Sequence, residues 1–214
     1  MLRVYSLAKI TKPVGQGASE SFWLELMAVG KNTSKGHYIV ANEYICARLG
    51  SFLGLPIPPF ALLQQKGGSG LWFGSIDYCL TGQTLPPIDP AECVKEFPDI
   101  STGIILFDTW VANADRHEGN MNMDKSTGRP AQLNVFDHSH ALFGSEDGKG
   151  IDRLNDLKDK FSIEGGKNEP KVVTPYLGAA AGQNRHCLLD ALNTSDHFEK
   201  WHEKLDKLPD FFIQ

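Results

Sequence analysis

The chain has no apolar run near the roughly 20 residues that cross a bilayer as a helix, and its opening stretch, MLRVYSLAKITK, lacks the long apolar centre of a secretory leader. A cytoplasmic protein that makes no use of a membrane is therefore expected. Positive charge is also scarce: 21 Lys and Arg stand against 26 Asp and Glu, a formal charge of -5. The bulk field offers a phosphate backbone nothing, and direct nucleic-acid binding is not expected. Cys46, Cys79, Cys93 and Cys187 form no C-x-x-C pair, which speaks against structural zinc or a disulfide framework and leaves buried or idle thiols. Repeats and low-complexity tracts are missing as well. What is there is 41% hydrophobic and 22% charged residues over 214 positions, enough for one folding unit, either a single domain or two small lobes sharing a core.

Gly15 and Gly17 in PVGQGASESFWLELMAVG lead into an apolar stretch from Phe22 to Val29, read as loop then strand. The stretch GKNTSKG, Gly30 to Gly36, is a turn-rich break. Val40, Tyr44, Ile45, Ala47, Leu49, Phe52 and Leu53 recur at mostly helical spacing and predict a helix that Gly54 ends. Prolines at 56, 58 and 59 favour an extended segment, KGGSG reads as a tip, and LWFGSIDYCL as the returning strand of a small antiparallel sheet. TGQTLPPIDP marks a boundary near residues 81–90. The fold class is α+β, with a mainly β unit over 1–85 and a mainly helical one over 86–214. The second unit opens with a helix from Ser101 to Val111 that has little polar face and should be central. Two polar stretches and helices near Cys187–Leu192 and His197–Lys207 complete it.

Asn113-Ala114-Asp115-Arg116-His117-Glu118-Gly119-Asn120 follows that apolar helix directly, so a packed element aims a loop dense in hydrogen-bonding groups. Further on, Gln132 to Phe136 reads as a strand that delivers Asp137, with His138, Ser139 and His140 behind it. If 120–124 and 132–136 pair as a hairpin centred near Gly128, Asn120 folds back beside Asp137. An amide oxygen and a carboxylate suit a magnesium ion shared with a nucleotide. The D-x-x-x-x-N spacing lets one loop hold Asp115 beside the metal without ligating it, which fits phosphoryl transfer with Asp115 taking the acceptor's proton.

NADRHEGN followed by VFDHSHALFG resembles the catalytic loop and metal-binding aspartate of HipA-like kinases, and is similar to the catalytic loop of type II phosphatidylinositol 4-kinases. ANEYICARLGSFLGLPIPPFALL resembles the N-E-Y helix of HipA-like proteins and the L-G-L-x-(V/I)-P segment after it, so the likeness spans roughly residues 10–145. The resemblance implies a bilobal protein-kinase-like fold that binds ATP and magnesium between its lobes. It implies Asp115 as catalytic base and Asn120 and Asp137 as metal ligands, with a Ser/Thr hydroxyl of a protein, or a small alcohol, as acceptor. The family context also raises an antitoxin-type partner. The family's phosphate-gripping lysine has no counterpart in Phe22-Trp23-Leu24-Glu25-Leu26, where glutamate stands in its place. Lys35 is preferred as the replacement, with Lys31 as the alternative, and Glu43 as its ion-pair partner. Gly15, Gly17 and Ser19 would lie over the phosphates.

Simpler readings stand beside these. His117 is an anchor for its own loop, and Arg116 an internal partner for nearby carboxylates. His138 and His140 would share one face of an extended segment, as in some metal sites, while the simpler reading turns at least one to solvent and has both shape the loop. Trp23, Trp72, Trp110 and Trp201 are core or lobe-packing residues. Two other functions compete: a hydrolase using zinc, manganese or iron built from His117, Asp137, His138 and His140, and a silent kinase-fold module, suggested by the missing strand lysine.

Overall fold

The computed structural model describes residues 7–15, 20–65, 67–68, 70–76, 85–113, 115–125, 131–144, 186–192 and 196–207. Gly17, Ser19, Cys79, the hairpin turn at Gly128 and the polar stretches before Cys187 lie outside them, as does part of the 81–90 boundary. Within them the protein is a mixed α/β structure of three small antiparallel sheets and five helices.

Strands β1 (Leu7–Pro13) and β2 (Phe22–Leu26) form a two-stranded ribbon with two shifts of register. The chain leaves that ribbon at Met27, and β3 (Ala28–Lys31) pairs instead with β5 (Leu71–Ile76) in a sheet of order β3-β5-β4, where β4 is Phe60–Gln64. The apolar run from 22 to 29 is therefore two strands in two sheets rather than one. Gly30 and Lys31 also belong to strand, not turn. Gly30 lies opposite Gly74, and a Cβ at position 30 would approach the Trp72 ring to 3.3 Å, so this glycine serves close packing. The turn starts only at Asn32, whose Oδ1 accepts from the Ser34 amide at 3.0 Å. Every residue of β2 is exposed, and Trp23, at 58% exposure, does not take the packing role expected of it.

Helix α1 (Ile39–Leu53) ends at Gly54, which adopts a left-handed φ of 83° and donates its N–H to Gly50 and Ser51 carbonyls. Its core face carries Val40, Cys46, Ala47 and Leu53, but Asn42 and Glu43 are buried with them. The proline segment after it is a backbone bridge. Pro56 accepts from the Val135 amide at 3.0 Å and Pro59 from the Ile76 amide at 2.8 Å, so it joins the first sheet region to the later hairpin.

Helix α2 (Pro90–Glu96) precedes the expected opening of the second half. Asp89 caps it, accepting from the Ala91 and Glu92 amides, and Pro90 sits at its first turn. Helix α3 (Pro98–Trp110) starts three residues earlier than the apolar spacing suggested, and it is central: Ile104, Ile105, Leu106 and Phe107 are at most 2% exposed. A short 3-10 turn (Glu118–Asn120) leads into β6 (Met121–Asp124), which pairs with β7 (Gln132–Val135), Met121 facing Val135. Helices α4 (Cys187–Ala191) and α5 (Phe198–Asp206) complete the core. Trp201 of α5 lies so close to Gly103 of α3 that a Cβ there would meet its ring at 2.5 Å, while the indole N–H donates to Asp99 at 2.9 Å. Cys46, Cys93 and Cys187 are buried thiols, and burial pushes Cys93 up to about 11 and Cys187 up to about 12. They are inert at neutral pH.

Candidate active site

Lys31 is the last residue of β3, and Glu43 lies in the second turn of α1. The lysine Nζ stands 2.5 Å from Glu43 Oε1 and 2.6 Å from Asp137 Oδ1, so one ammonium bridges two carboxylates. Burial works against the charge of Lys31, but the two carboxylates outweigh it and raise its pKa. Burial likewise opposes ionisation of Asp137. The Lys31 ammonium and the Ser139 hydroxyl, which donates to Oδ1 at 2.7 Å, nevertheless hold it well below the usual carboxylate range. Glu43 is pushed up by its burial and drawn down by Lys31, the first effect being the larger.

The partner of Glu43 is therefore Lys31, not the preferred Lys35. Lys35 is exposed, beyond the turn that Asn32 starts, whereas pairing of Lys31 with Phe73 carries the strand to the edge of α1. Glu25 pairs with Lys9 across the exposed ribbon and does not occupy the lysine's place. Gly15 is exposed with φ 73°, and among the described residues nothing lies within 4 Å of where a side chain would begin.

The loop from Asn113 to Asn120 is held by its own side chains. Asn113 Oδ1 accepts from the Asp115 amide at 3.3 Å, and Asn120 Nδ2 donates to the Asp115 carbonyl at 2.7 Å. His117 Nδ1 accepts from the Gly119 amide at 3.1 Å, the anchoring contact expected of it. Across the hairpin the Phe136 amide donates to the Asn120 carbonyl at 3.2 Å, which brings Asn120 alongside the residue before Asp137. Asp137 itself has φ 61°, left-handed for a non-glycine residue. Such a backbone is retained only where surrounding contacts impose it, and it is found where a side chain must be aimed.

Those contacts centre on Arg116, which is 2% exposed. Its Nε and one Nη donate to the two oxygens of Asp108 at 2.7 and 3.0 Å. The same Nη meets His138 Nε2 at 3.0 Å, and the other Nη donates to the carbonyls of Asn120 and Phe136. A guanidinium has five N–H groups, and all of them are engaged. Since arginine can only donate, His138 accepts and is neutral. Burial, then the Arg116 charge, pushes its pKa down to about 3. Asp108 also accepts from Asn113 Nδ2 at 3.0 Å and meets His186 Nε2 at 2.9 Å. Despite full burial, Arg116 and His186 hold Asp108 well below the usual carboxylate range.

The histidines do not assemble the hydrolase site. The turn at Asp137 separates His138 and His140: the first is buried on Arg116, and the second lies with Nε2 3.8 Å from Asp115 Oδ2. Among the described residues no group of three or more His, Cys, Asp or Glu gathers around a point. The oxygen donors fit magnesium better. Asp137 is ionised, and the nitrogen end of the Asn120 amide is turned to Asp115, so the carbonyl end is the one available in kind to a hard cation.

A sequence profile described as HipA-like kinase matches residues 8–149, the larger part of the chain. The chain belongs to the HipA-like kinase family. Among solved structures it is similar to a Helicobacter pylori proinflammatory kinase, CtkA, with 14% identity, a TM-score of 0.48, and coverage of 85% of this chain and 86% of that one. No curated protein matches it.

Three polar residues of this HipA-like kinase escaped the sequence reading as site members. Asp108 had a signal: it is a lone acid in IILFDTW, a helix with no polar face, and a buried acid needs a cation. Asn42 opens the N-E-Y motif but carried no assigned role there, although its amide reaches the loop after Asp137. His186, 78 positions from Asp108, had no local signal.

Proposed function

We propose that this HipA-like kinase transfers the γ-phosphate of ATP, with magnesium, to a hydroxyl, and that the acceptor is a Ser or Thr of a protein. In this reading residues 1–85 and 86–214 form two lobes that enclose the nucleotide. The observation that carries the proposal is the bridge Glu43–Lys31–Asp137, which sets an ammonium for phosphate oxygens against an ionised carboxylate for a cation. Asn120 and Asp137 would hold the magnesium, which when bound neutralises charge on the transferred group and its leaving oxygen. Gly15, Gly17 and Ser19 would cover the phosphates.

Asp115 is half-buried at the head of the same loop as Asn120 and is the proton acceptor in this scheme. The new O–P bond forms as the acceptor hydroxyl passes its proton to Asp115, and ADP leaves with the electrons of the broken bond. The silent-module alternative rests on a missing strand lysine, and in this reading Lys31, paired with Glu43, would fill that place.

The test is thermal unfolding with ATP and magnesium together and with each alone. A site loaded to about 100 times its dissociation constant gains roughly 2.7 kcal/mol, so a clear rise in Tm is expected with the pair and not with either component. Asp115→Asn should keep that rise and lose phosphate transfer. Absence of any shift, or undiminished transfer in the variant, overturns the assignment.

A further inference from the structure

The segment from Asp137 to Gly144 folds back through three left-handed residues, Asp137 at φ 61°, Leu142 at 48° and Gly144 at 74°. Two of these carry side chains, so the conformation must be imposed from outside. Part of that constraint comes from Val111, the residue capping the end of α3, whose carbonyl accepts from the Leu142 amide at 2.7 Å. Arg116 holds the Phe136 carbonyl and the His138 ring at the start of the segment, and two adjacent residues of α1 hold its backbone. Glu43 Oε2 accepts from the His138 amide at 3.1 Å, while its Oε1 holds Lys31. Asn42 Nδ2 donates to the Ser139 carbonyl at 2.9 Å and to the Gly144 carbonyl at 3.2 Å, tying the early part of the segment to its end.

We infer that Asn42 is a positioning residue for Asp137: by pinning the Ser139 and Gly144 carbonyls it fixes the backbone that aims the carboxylate at its cation. This rests on the phosphotransfer reading for the cation. The chemistry explains the residue type. Two carbonyl acceptors converge on one side chain that is 0% exposed, so it must donate two hydrogens from one planar group, as a primary amide does. A carboxylate there would set oxygen against oxygen, and an aliphatic side chain would strip two carbonyls of a partner. Glu43, one residue on, orients both Lys31 and His138, so a single turn of helix governs both charges of the Lys31–Asp137 pair.

The experiment compares wild type, Asn42→Ala, Asn42→Gln and Leu53→Ala. The last removes a buried side chain at the far end of the same helix and leaves the loop contacts alone. Free Mn2+ is followed by electron paramagnetic resonance in the presence of ADP, and amide hydrogen exchange across 138–144 is measured without nucleotide or metal. Asn42→Ala should weaken Mn2+ uptake by about 10- to 100-fold and speed exchange in 138–144, with metal-free ADP binding unchanged. Asn42→Gln, which keeps the amide, should recover part of both effects and serves as the readout if the alanine variant does not fold. Leu53→Ala should move neither quantity. Wild-type behaviour in both Asn42 variants, or an equal effect from Leu53→Ala, overturns the inference. Failure of wild type to take up Mn2+ with ADP overturns the phosphotransfer reading instead, and exchange alone then decides whether Asn42 holds the loop.

Discussion

Lys31 and Lys35 lie four positions apart in one glycine-flanked stretch, and only one meets a carboxylate pair. Lys31→Met keeps the stem and deletes the charge, so phosphate transfer should fall by about 100-fold or more. Lys35→Met should leave the rate unchanged. Equal losses in the two variants, measured with radiolabelled ATP, would remove Lys31 from the site. Sequence reasoning names both lysines and prefers Lys35, whereas the ion pair forms at Lys31, because the choice depends on where β3 ends. That end is set by Gly30 packing under Trp72, a contact 42 positions away along the chain. The acids and amides at 115, 120 and 137 were easier to see, since each stands beside an apolar element that must aim it. The left-handed backbone at Asp137 was not, because aspartate is compatible with several backbone regions and the contacts that select this one come from α1 and Arg116.

At the scale of elements, α3 and α5 meet through a glycine. Gly103→Ala places a methyl group 2.5 Å from the Trp201 ring, and neither helix can yield without moving the Asp99–Trp201 hydrogen bond. The expected loss is about 1–3 kcal/mol, visible as a lower Tm in thermal unfolding. An unchanged Tm would show that the two helices slide freely. Asp89→Ala, which removes the cap of α2, should cost about 1 kcal/mol by the same measurement. Helix α1, the central α3 and the β6–β7 hairpin were legible because their apolar spacing and end signals agree with their tertiary roles. Helix α2 was missed because its Asp89-Pro90 start lies inside a proline-rich segment read as a boundary. The split of 22–29 was invisible for another reason: periodicity reports a strand but not the sheet it joins.

Over the whole molecule, Asp108 joins α3 to the 113–120 loop and, through His186, to the chain before α4. Its folded pKa lies below the ordinary carboxylate value of about 3.9. Between those two values the unfolded chain binds the proton more tightly. The stability Asp108 contributes is thus complete above about pH 4 and is lost as the pH falls further, at up to about 1.4 kcal/mol per pH unit. Asp108→Asn should lose roughly 3–5 kcal/mol at neutral pH by leaving the buried guanidinium without its counter-charge, and should show a shallower acid slope. Urea unfolding from neutral to acid pH checks both, and an acid slope identical to wild type would assign the proton uptake elsewhere.

The fully engaged guanidinium of Arg116 makes the centre of this kinase an all-or-none junction. Helix α3, the 113–120 turn and the strand end at 136–138 cannot open one at a time, since any single departure strands a desolvated cation. Exchange of the Asn120 and Phe136 amides should therefore report one shared opening free energy, and whatever tightens one of these three segments tightens them all.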